Sequence, residues 1–367
     1  MRLGKLALTG FRNYEWETIE FSGGTSVIAG RNAQGKTNLL EAIYFLAYGR
    51  SFRTRFDREL VHFDFSSAEI LADLTSHERD QTVSIALHPG SAKKILVNGV
   101  RKTAAELSET ANIVLFSPDD LELIKDGASV RRRLLDNAIG QIRPQYNALL
   151  SEFNRLLEHK TRILKDWREK PSLLDPLDDF SDALCRCSAK MIRYRASYTQ
   201  RLNEAAAPIH EDFSGSGEKL GISYKTVSTV KDPFASEKDL YYAVCAHQEA
   251  HRRAEIESGQ CLTGAHKDDL EISINGSPAR SFASQGQTRT AALSIKLAER
   301  EILLAETGEY PILLLDDVLS ELDGRRQEFV LNRIGGGQTM ITCCEDEGIS
   351  RRTGGHVYFV EKGRIRG

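Results

Sequence analysis

The sequence predicts an α/β fold: a phosphate-loop core, with a mixed sheet and an antiparallel β subdomain, split by a helical lobe that carries a short helical hairpin. Three observations predict it. A strand, a glycine-rich loop and a helix follow one another near the start; the apolar period becomes helical through the middle of the chain; strand, helix and strand then return. The length agrees, since 367 residues at 41% hydrophobic exceed one ordinary compact domain and imply two lobes. The core is assigned to residues 1–127 and 259–367, the second part carrying the acidic and serine-glycine motifs, and the helical insert to residues 128–258.

Each element has its own signal. Residues 3–8 and 18–21 are apolar-rich strands, Gly23-Gly24 supplies a turn, and residues 25–29 form a strand leading into the glycine loop. The helix that starts at Lys36 carries Leu39, Leu40, Ile43, Phe45, Leu46 and Ala47. Short alternating runs between residues 68 and 102 predict a small, mostly antiparallel sheet, and Asn98-Gly99 marks a tight hairpin within it. Residues 112–116 are a buried-type strand, stopped by Ser117-Pro118-Asp119.

Helical spacing then takes over in Tyr146, Leu149, Leu150, Phe153, Leu156, Leu157, Ile163, Leu164 and Trp167. After a break at Lys170-Pro171 it resumes in Phe180, Leu184, Cys187, Met191, Tyr194, Tyr198 and Leu202. Two amphipathic helices of similar length make an antiparallel hairpin, far too short for a long coiled coil. A strand at residues 220–227 and a helix at residues 240–257 complete the insert, followed by a strand near residue 270, a helix over residues 288–304 and a strand over 312–315.

Composition excludes several classes. Forty-nine Lys and Arg stand against 52 Asp and Glu, a net charge of −3, so this is no polybasic nucleic-acid binder and any DNA contact requires a local patch. No apolar run approaches the roughly 18 to 20 residues that span a bilayer, and the first residues carry charge too early for a signal peptide. The six cysteines include no CxxC pair, which argues against zinc and for buried free thiols in a reducing cytoplasm.

The chemistry begins with Gly30-Arg31-Asn32-Ala33-Gln34-Gly35-Lys36-Thr37, a full match to the phosphate-loop pattern, placed after a strand and opening a helix. Glycine lets backbone N–H groups approach phosphate without a Cβ in the way. Lys36 brings a point charge to the β and γ oxygens, Thr37 offers a hydroxyl to Mg²⁺, Asn38 follows at the helix start, and the helix end itself favours an anion. ATP is the expected ligand. Pro311 and the apolar strand after it end in Asp316-Asp317, where Asp316 would hold Mg²⁺ and Asp317 would orient or deprotonate the attacking water.

Ser284-Gln285-Gly286-Gln287 precedes another helix, and a serine before a glycine at a helix start is a second anion-binding design. One triphosphate does not need two such ends from one chain. The economical explanation is that this one reaches the γ-phosphate held by another copy, with Ser320-Glu321-Leu322-Asp323 in contact across that dimer.

In this order the motifs resemble the ABC-type ATPases, but about 250 residues separate Lys36 from Ser284, more than transporter domains usually show. Further strings are similar to the bacterial RecF recombination-repair family: Gly10-Phe11-Arg12-Asn13-Tyr14, Gly49-Arg50-Ser51-Phe52-Arg53, Phe116-Ser117-Pro118-Asp119-Asp120, Arg131-Arg132-Arg133, Thr263-Gly264-Ala265-His266-Lys267-Asp268-Asp269, and Ser284 through Thr290. The resemblance runs from about residue 3 to residue 345. It implies a cytoplasmic, SMC-like head that binds ATP and double-stranded DNA and dimerises with ATP. With RecR and RecO such a protein helps load RecA at gaps and supports the SOS response and replication-fork maintenance. The alternatives are the nucleotide domain of a transporter or another SMC-like ATPase, and a small-molecule kinase, which would have no use for the serine-glycine motif.

The departures are Ala33 where many relatives carry glycine, Ala265 where proline is common, no glutamine between Phe116 and Asp120, and no histidine in Met340-Ile341-Thr342-Cys343-Cys344-Glu345. With fewer groups facing the γ-phosphate, slow hydrolysis is expected. Arg12, after the first strand, is a candidate for adenine or phosphate against a plain ion pair. Arg131, Arg132, Arg133, Arg193, Arg195 and Arg201 are candidates for DNA contact against solvated helix faces. His266, Asp268 and Asp269 read as a structural polar corner or a contact near the nucleotide rather than a metal site, since their spacing fixes no ligand geometry.

Overall fold

The structure, a computed structural model, describes every residue except Glu78, Ser216, residues 345–347 and Gly367. It divides into two compact units, residues 1–122 with 295–367, and residues 123–294. The second division lies beyond the boundary expected at residue 258. The cause is strand pairing: Asp269–Ile274 runs antiparallel to Leu220–Lys225, so the chain after the insert's last helix stays within the second unit. The motif Ser284-Gln285-Gly286-Gln287 therefore belongs to that unit, and the division falls inside the helix Gln285–Thr307.

The first unit is built on two sheets. Its central sheet has the order Arg364–Arg366, His356–Glu361, Thr25–Ala29, Thr339–Cys343, Ile312–Leu315, Ile113–Phe116. All neighbours are parallel except the first pair. Ile312–Leu315 and Ile113–Phe116 are buried at every position, as a sheet covered on both faces requires. The second sheet is antiparallel, in the order Tyr14–Glu20, Arg2–Phe11, Ala68–Thr75, Asp80–Leu87, Lys94–Val97, Val100–Lys102. Ala68–Thr75 alternates buried and exposed without exception, which fixes its register with one apolar face inward. Asn98 and Gly99 both take positive φ, 50° and 79°, the left-handed pair that a two-residue hairpin demands. The helix Lys36–Tyr48 puts Leu39, Leu40, Ile43, Phe45 and Leu46 into the core with no exposure at all.

The second unit packs the helices Ala128–Ile142, Pro144–Asp166, Leu177–Ser214 and Glu237–Ser258 with a three-stranded antiparallel sheet. The hairpin helices are not of similar length, 23 against 38 residues. The apolar stripe of the longer one continues past Leu202 through Ala206, Ile209 and Phe213, all buried, so burial carries the helix on through Pro208. Among the described residues no helix is long and apolar enough to cross a membrane.

Candidate functional site

In the first unit, the strand Thr25–Ala29 delivers the loop at residues 30–35 to the start of the helix Lys36–Tyr48. Two glycines are required by space as well as by φ. A Cβ on Gly30 would lie 2.4 Å from the Val360 carbonyl oxygen, and one on Gly35 would lie 2.7 Å from Asn13 Nδ2. Lys36 is buried, and its Nζ donates to the carbonyls of Gly30 at 2.5 Å and Arg31 at 3.1 Å, which holds the cation over the loop. Arg31, Asn32 and Ala33 are exposed along the loop, and Ala33 takes φ +63°. The helix begins at Gly35 with no side-chain cap, so its first N–H groups face the loop without a competitor from this source.

The loop is held from behind by residues that the sequence alone assigned no role. Asn13 Nδ2 donates to the Gln34 carbonyl at 2.9 Å and Asn13 Oδ1 accepts from Asn38 Nδ2 at 2.8 Å. Tyr14 donates its hydroxyl to the Gly35 carbonyl at 3.0 Å, and burial raises its phenol above the ordinary range. From the C-terminal hairpin, Gly363 N–H reaches the Gln34 carbonyl at 3.1 Å and Lys362 N–H reaches Gln34 Oε1 at 2.8 Å.

Glu41, in the same helix, is wholly buried and takes both Nε and Nη2 of Arg12 at 2.8 Å, together with the hydroxyl of Ser51. Arg53 donates to Asn38 Oδ1 at 2.8 Å. The structure thus places Arg12 on a carboxylate of the phosphate helix. The strings Gly10-Phe11-Arg12-Asn13-Tyr14 and Gly49-Arg50-Ser51-Phe52-Arg53 serve that helix. The signal that could have found this is Glu41 itself, a carboxylate in the middle of an apolar helix face that must be paired if buried.

The acidic pair closes the site. Thr37 Oγ1 donates to Asp316 Oδ1 at 2.9 Å, and Thr342 Oγ1 donates to the same oxygen at 3.0 Å. Burial raises the Asp316 carboxyl above the ordinary range, against those two hydrogen bonds, which lower it. Asp317 takes φ +52°, unusual for a residue with a Cβ, and its N–H donates to Thr342 Oγ1 at 2.8 Å. Asp317 Oδ1 is buried with no hydrogen-bond partner among the described residues. A hydroxyl and two carboxylates gathered here are the hard oxygen donors that Mg²⁺ takes, and an orphaned carboxylate oxygen fits a group that binds from outside the chain. Ser320 donates to the Asp317 carbonyl at 2.6 Å, and Asp323 caps the helix Gly324–Arg333 through Arg326 N–H at 2.9 Å.

In the second unit, Ser284 and Gln285 are exposed at the start of the helix Gln285–Thr307, with Gly286 and Gln287 half-buried. Gln287 N–H donates to Ser284 Oγ at 3.2 Å, and Ser284 N–H donates to Gln287 Oε1 at 2.8 Å, a reciprocal capping box. Gln287 Nε2 donates to Glu218 Oε1 at 2.7 Å, which fixes the box in place. A serine that accepts through its oxygen keeps its O–H to donate.

The arginines weighed for DNA contact separate here. Arg131 is 3% exposed, paired through Nε with Asp269 at 2.6 Å and donating to the Asp126 carbonyl at 2.7 Å. Arg195 is 2% exposed and holds Asp136 at 2.8 Å and Asp268 at 2.7 Å. Both belong to the interior, because burial without partners would leave a bare charge. Arg132 donates to the Asp268 carbonyl at 2.7 Å, while Arg133 and Arg193 are exposed and Arg201 is half-buried. His266 meets the Cys261 carbonyl at 3.0 Å, while Asp268 pairs with Arg195 and Asp269 with Arg131. The thiols of Cys185, Cys187, Cys261 and Cys343 are buried, Cys245 is half-buried, and Cys344 is exposed with its Sγ 3.0 Å from Asn32 Oδ1 of the phosphate loop. Glu345 lies outside the described residues.

A family model described as the RecF/RecN/SMC N terminal domain matches residues 2–361. The chain is 37% identical over 370 residues to the DNA replication and repair protein RecF of Clostridium botulinum (strain ATCC 19397 / Type A), with all of both chains covered. It is 42% identical over 354 residues to that of Lactobacillus johnsonii, covering 95% of this chain and 94% of the relative. A solved structure described as the recombination mediator protein RecF-ATP in the RecFOR pathway superposes with a TM-score of 0.90 at 34% identity, covering 99% of this chain and 96% of that one. The Smc head domain of Pyrococcus furiosus, at 18% identity and a TM-score of 0.56, shares the fold.

Proposed function

The chain belongs to the RecF family of DNA replication and repair proteins, a family of SMC-like ATPases, and we propose that it is an ATP-gated clamp on double-stranded DNA. Two copies dimerise head to head around two ATP molecules, each phosphate loop facing the Ser284 helix start of the other copy. The observation that carries the proposal is the exposed, capped helix start at Ser284, in a chain whose phosphate loop, Lys36 and acidic pair already stand together in the first unit.

The chemistry follows from the residues. Backbone N–H groups from Gly30 to Thr37, with Asn38 behind them, take the phosphates, and Lys36 leaves its loop carbonyls for the β and γ oxygens. Thr37 and Asp316 would hold Mg²⁺, which would supply positive charge against the phosphate oxygens. Asp317 orients the attacking water and accepts its proton as the water oxygen bonds to the γ-phosphorus and the bond to the β-phosphate oxygen breaks, giving ADP and phosphate. No glutamine or histidine of this chain is assigned to the γ-phosphate, so slow turnover is expected. Hydrolysis removes the group that both copies share and opens the dimer.

Dimerisation doubles the phosphate contacts available to DNA and makes affinity fall steeply with salt. The carriers are the exposed arginines, Arg133 and Arg193 among them, rather than Arg131 or Arg195. The place of work is the cytoplasm, in recombinational repair and the SOS response, with RecR and RecO as partners in loading RecA and with a part in replication-fork maintenance. Arg12 reaches the nucleotide only indirectly in this reading, through Glu41 and the phosphate helix.

Ser284→Arg tests the clamp. ATP binding by single copies is expected to stay within about twofold, since the phosphate loop is untouched, while ATP-dependent dimerisation measured by light scattering is lost. Unchanged dimerisation would sink the reading.

A further inference from the structure

We propose that Thr342 is a positioning residue for the acidic pair, acting through Asp316 and Asp317; the proposal rests on the ATPase reading above. Thr342 lies in the strand Thr339–Cys343, buried at every position, between the phosphate-loop strand Thr25–Ala29 and the acidic strand Ile312–Leu315. One hydroxyl from that middle strand serves both acidic residues, Asp316 through its carboxylate and Asp317 through its backbone N–H. It donates to Asp316 Oδ1 at 3.0 Å, with the Leu315 carbonyl farther off at 3.4 Å, and it accepts the Asp317 N–H at 2.8 Å.

Each bond fixes something that the chemistry needs. Asp316 Oδ1 takes two donors, Thr342 on one side and Thr37 of the phosphate helix on the other. Two hydroxyl donors on one oxygen set the rotamer of the carboxylate and leave its second oxygen to face a ligand. Asp317 sits at φ +52°, a conformation that an L-residue keeps only when its surroundings hold it. The hydrogen bond from its N–H to Thr342 supplies that hold and sets where its side chain leaves the backbone. Asp317 Oδ1, buried and without a partner among the described residues, is then fixed by backbone geometry. The segment Met340 to Cys344, which carries no histidine, thus contributes a threonine that orders the acidic pair.

Thr342→Val removes the hydroxyl at nearly constant shape, and Thr342→Ser restores it. The readouts are ATP turnover and, independently of turnover, the tightening of ADP binding as Mg²⁺ is titrated, both on the full chain, with thermal melting as a check of folding. For Val, kcat is expected to fall about tenfold and the Mg²⁺ midpoint to rise about tenfold, with ADP affinity in EDTA within twofold of the parent; Ser recovers most of both. Val that keeps kcat and the Mg²⁺ midpoint within twofold overturns the proposal, and so does a loss that Ser fails to recover. If Val does not fold, Thr342→Ala against Thr342→Ser is read in the same way. Should the parent chain show no ATP turnover, the ATPase reading fails, and the Mg²⁺ titration alone decides the role of Thr342.

Discussion

The two units use buried polar groups in opposite ways. In the first, they converge on a loop and leave capacity facing outward: an uncapped helix start at Gly35, a lysine held by loop carbonyls, and an Asp317 oxygen with no partner among the described residues. In the second, charges are consumed by one another. Arg131 is spent on Asp269, Arg195 on Asp136 and Asp268, and Lys160 on Glu255 at 2.7 Å with Gln248 beside it. The Ser284 helix start stands outside that scaffold, since Ser284 is exposed and the oxygen that caps Gln287 N–H keeps its O–H to donate. Polar groups that converge on an accessible loop mark a ligand site, and charges paired off in the interior mark a scaffold.

The largest effect is expected where that contrast is drawn most sharply. Arg195→Ala leaves the carboxylates of Asp136 and Asp268 without their cation, and removing one partner of a buried pair costs about 4 kcal/mol. Urea unfolding is expected to show that loss, because the arginine is interior. A variant that keeps its stability within 1 kcal/mol and loses DNA affinity instead would put Arg195 among the open groups and break the comparison.

Legibility from sequence follows the same division. The phosphate loop could be read because its chemistry is local, with Gly30, Gly35, Lys36 and Thr37 within eight positions and Asp316 announced by its apolar strand. Arg131 and Arg195 could not, because their carboxylate partners lie 138 and 73 positions away, and nothing in an arginine run says which member turns inward. The extent of the second unit was hidden for a related reason. That residues 269–274 pair with residues 220–225 is a register decision made by tertiary packing, so the boundary moved from residue 258 to residue 294. Asn13 and Tyr14 were visible as a string but not as supports of Gln34 and Gly35, since side-chain to backbone bonds of that range leave no period.

A middle-sized effect sharpens the contrast through pH. His266 Nε2 lies 3.0 Å from the Cys261 carbonyl and donates to it, while its Nδ1 is buried with no partner among the described residues, so the neutral ring fits. Burial, the largest cause, pulls its pKa down from 6.5 to about 4. The unfolded chain then binds a proton that the folded chain refuses, so stability is complete above about pH 6.5 and falls as pH drops toward 4. Between pH 7 and pH 5 the loss from this one ring is about 2 kcal/mol. Urea unfolding of the parent and of His266→Gln at both pH values measures it. Equal pH dependence in the two proteins would mean that the corner has room for a charge, and that the second unit is less closed than its contacts imply.

The smallest effect tests the open side. Ala33 holds φ +63° at an exposed position of the phosphate loop, where a left-handed backbone costs an L-residue about 1–2 kcal/mol and glycine nothing. Glycine also gains about 0.4–1 kcal/mol of freedom in the unfolded chain, which offsets part of the relief. Ala33→Gly is therefore expected to stabilise the protein by roughly 0.5 kcal/mol in thermal melts, with ATP affinity within twofold. The sign carries the information. A stabilised variant with unchanged affinity means that Gln34, gripped by Asn13, Lys362 and Gly363, already holds the loop in its phosphate-binding shape. A variant that binds ATP several-fold more weakly would mean that the strained alanine itself supplies part of that order, and that the open site depends on local stiffness as much as on the groups behind it.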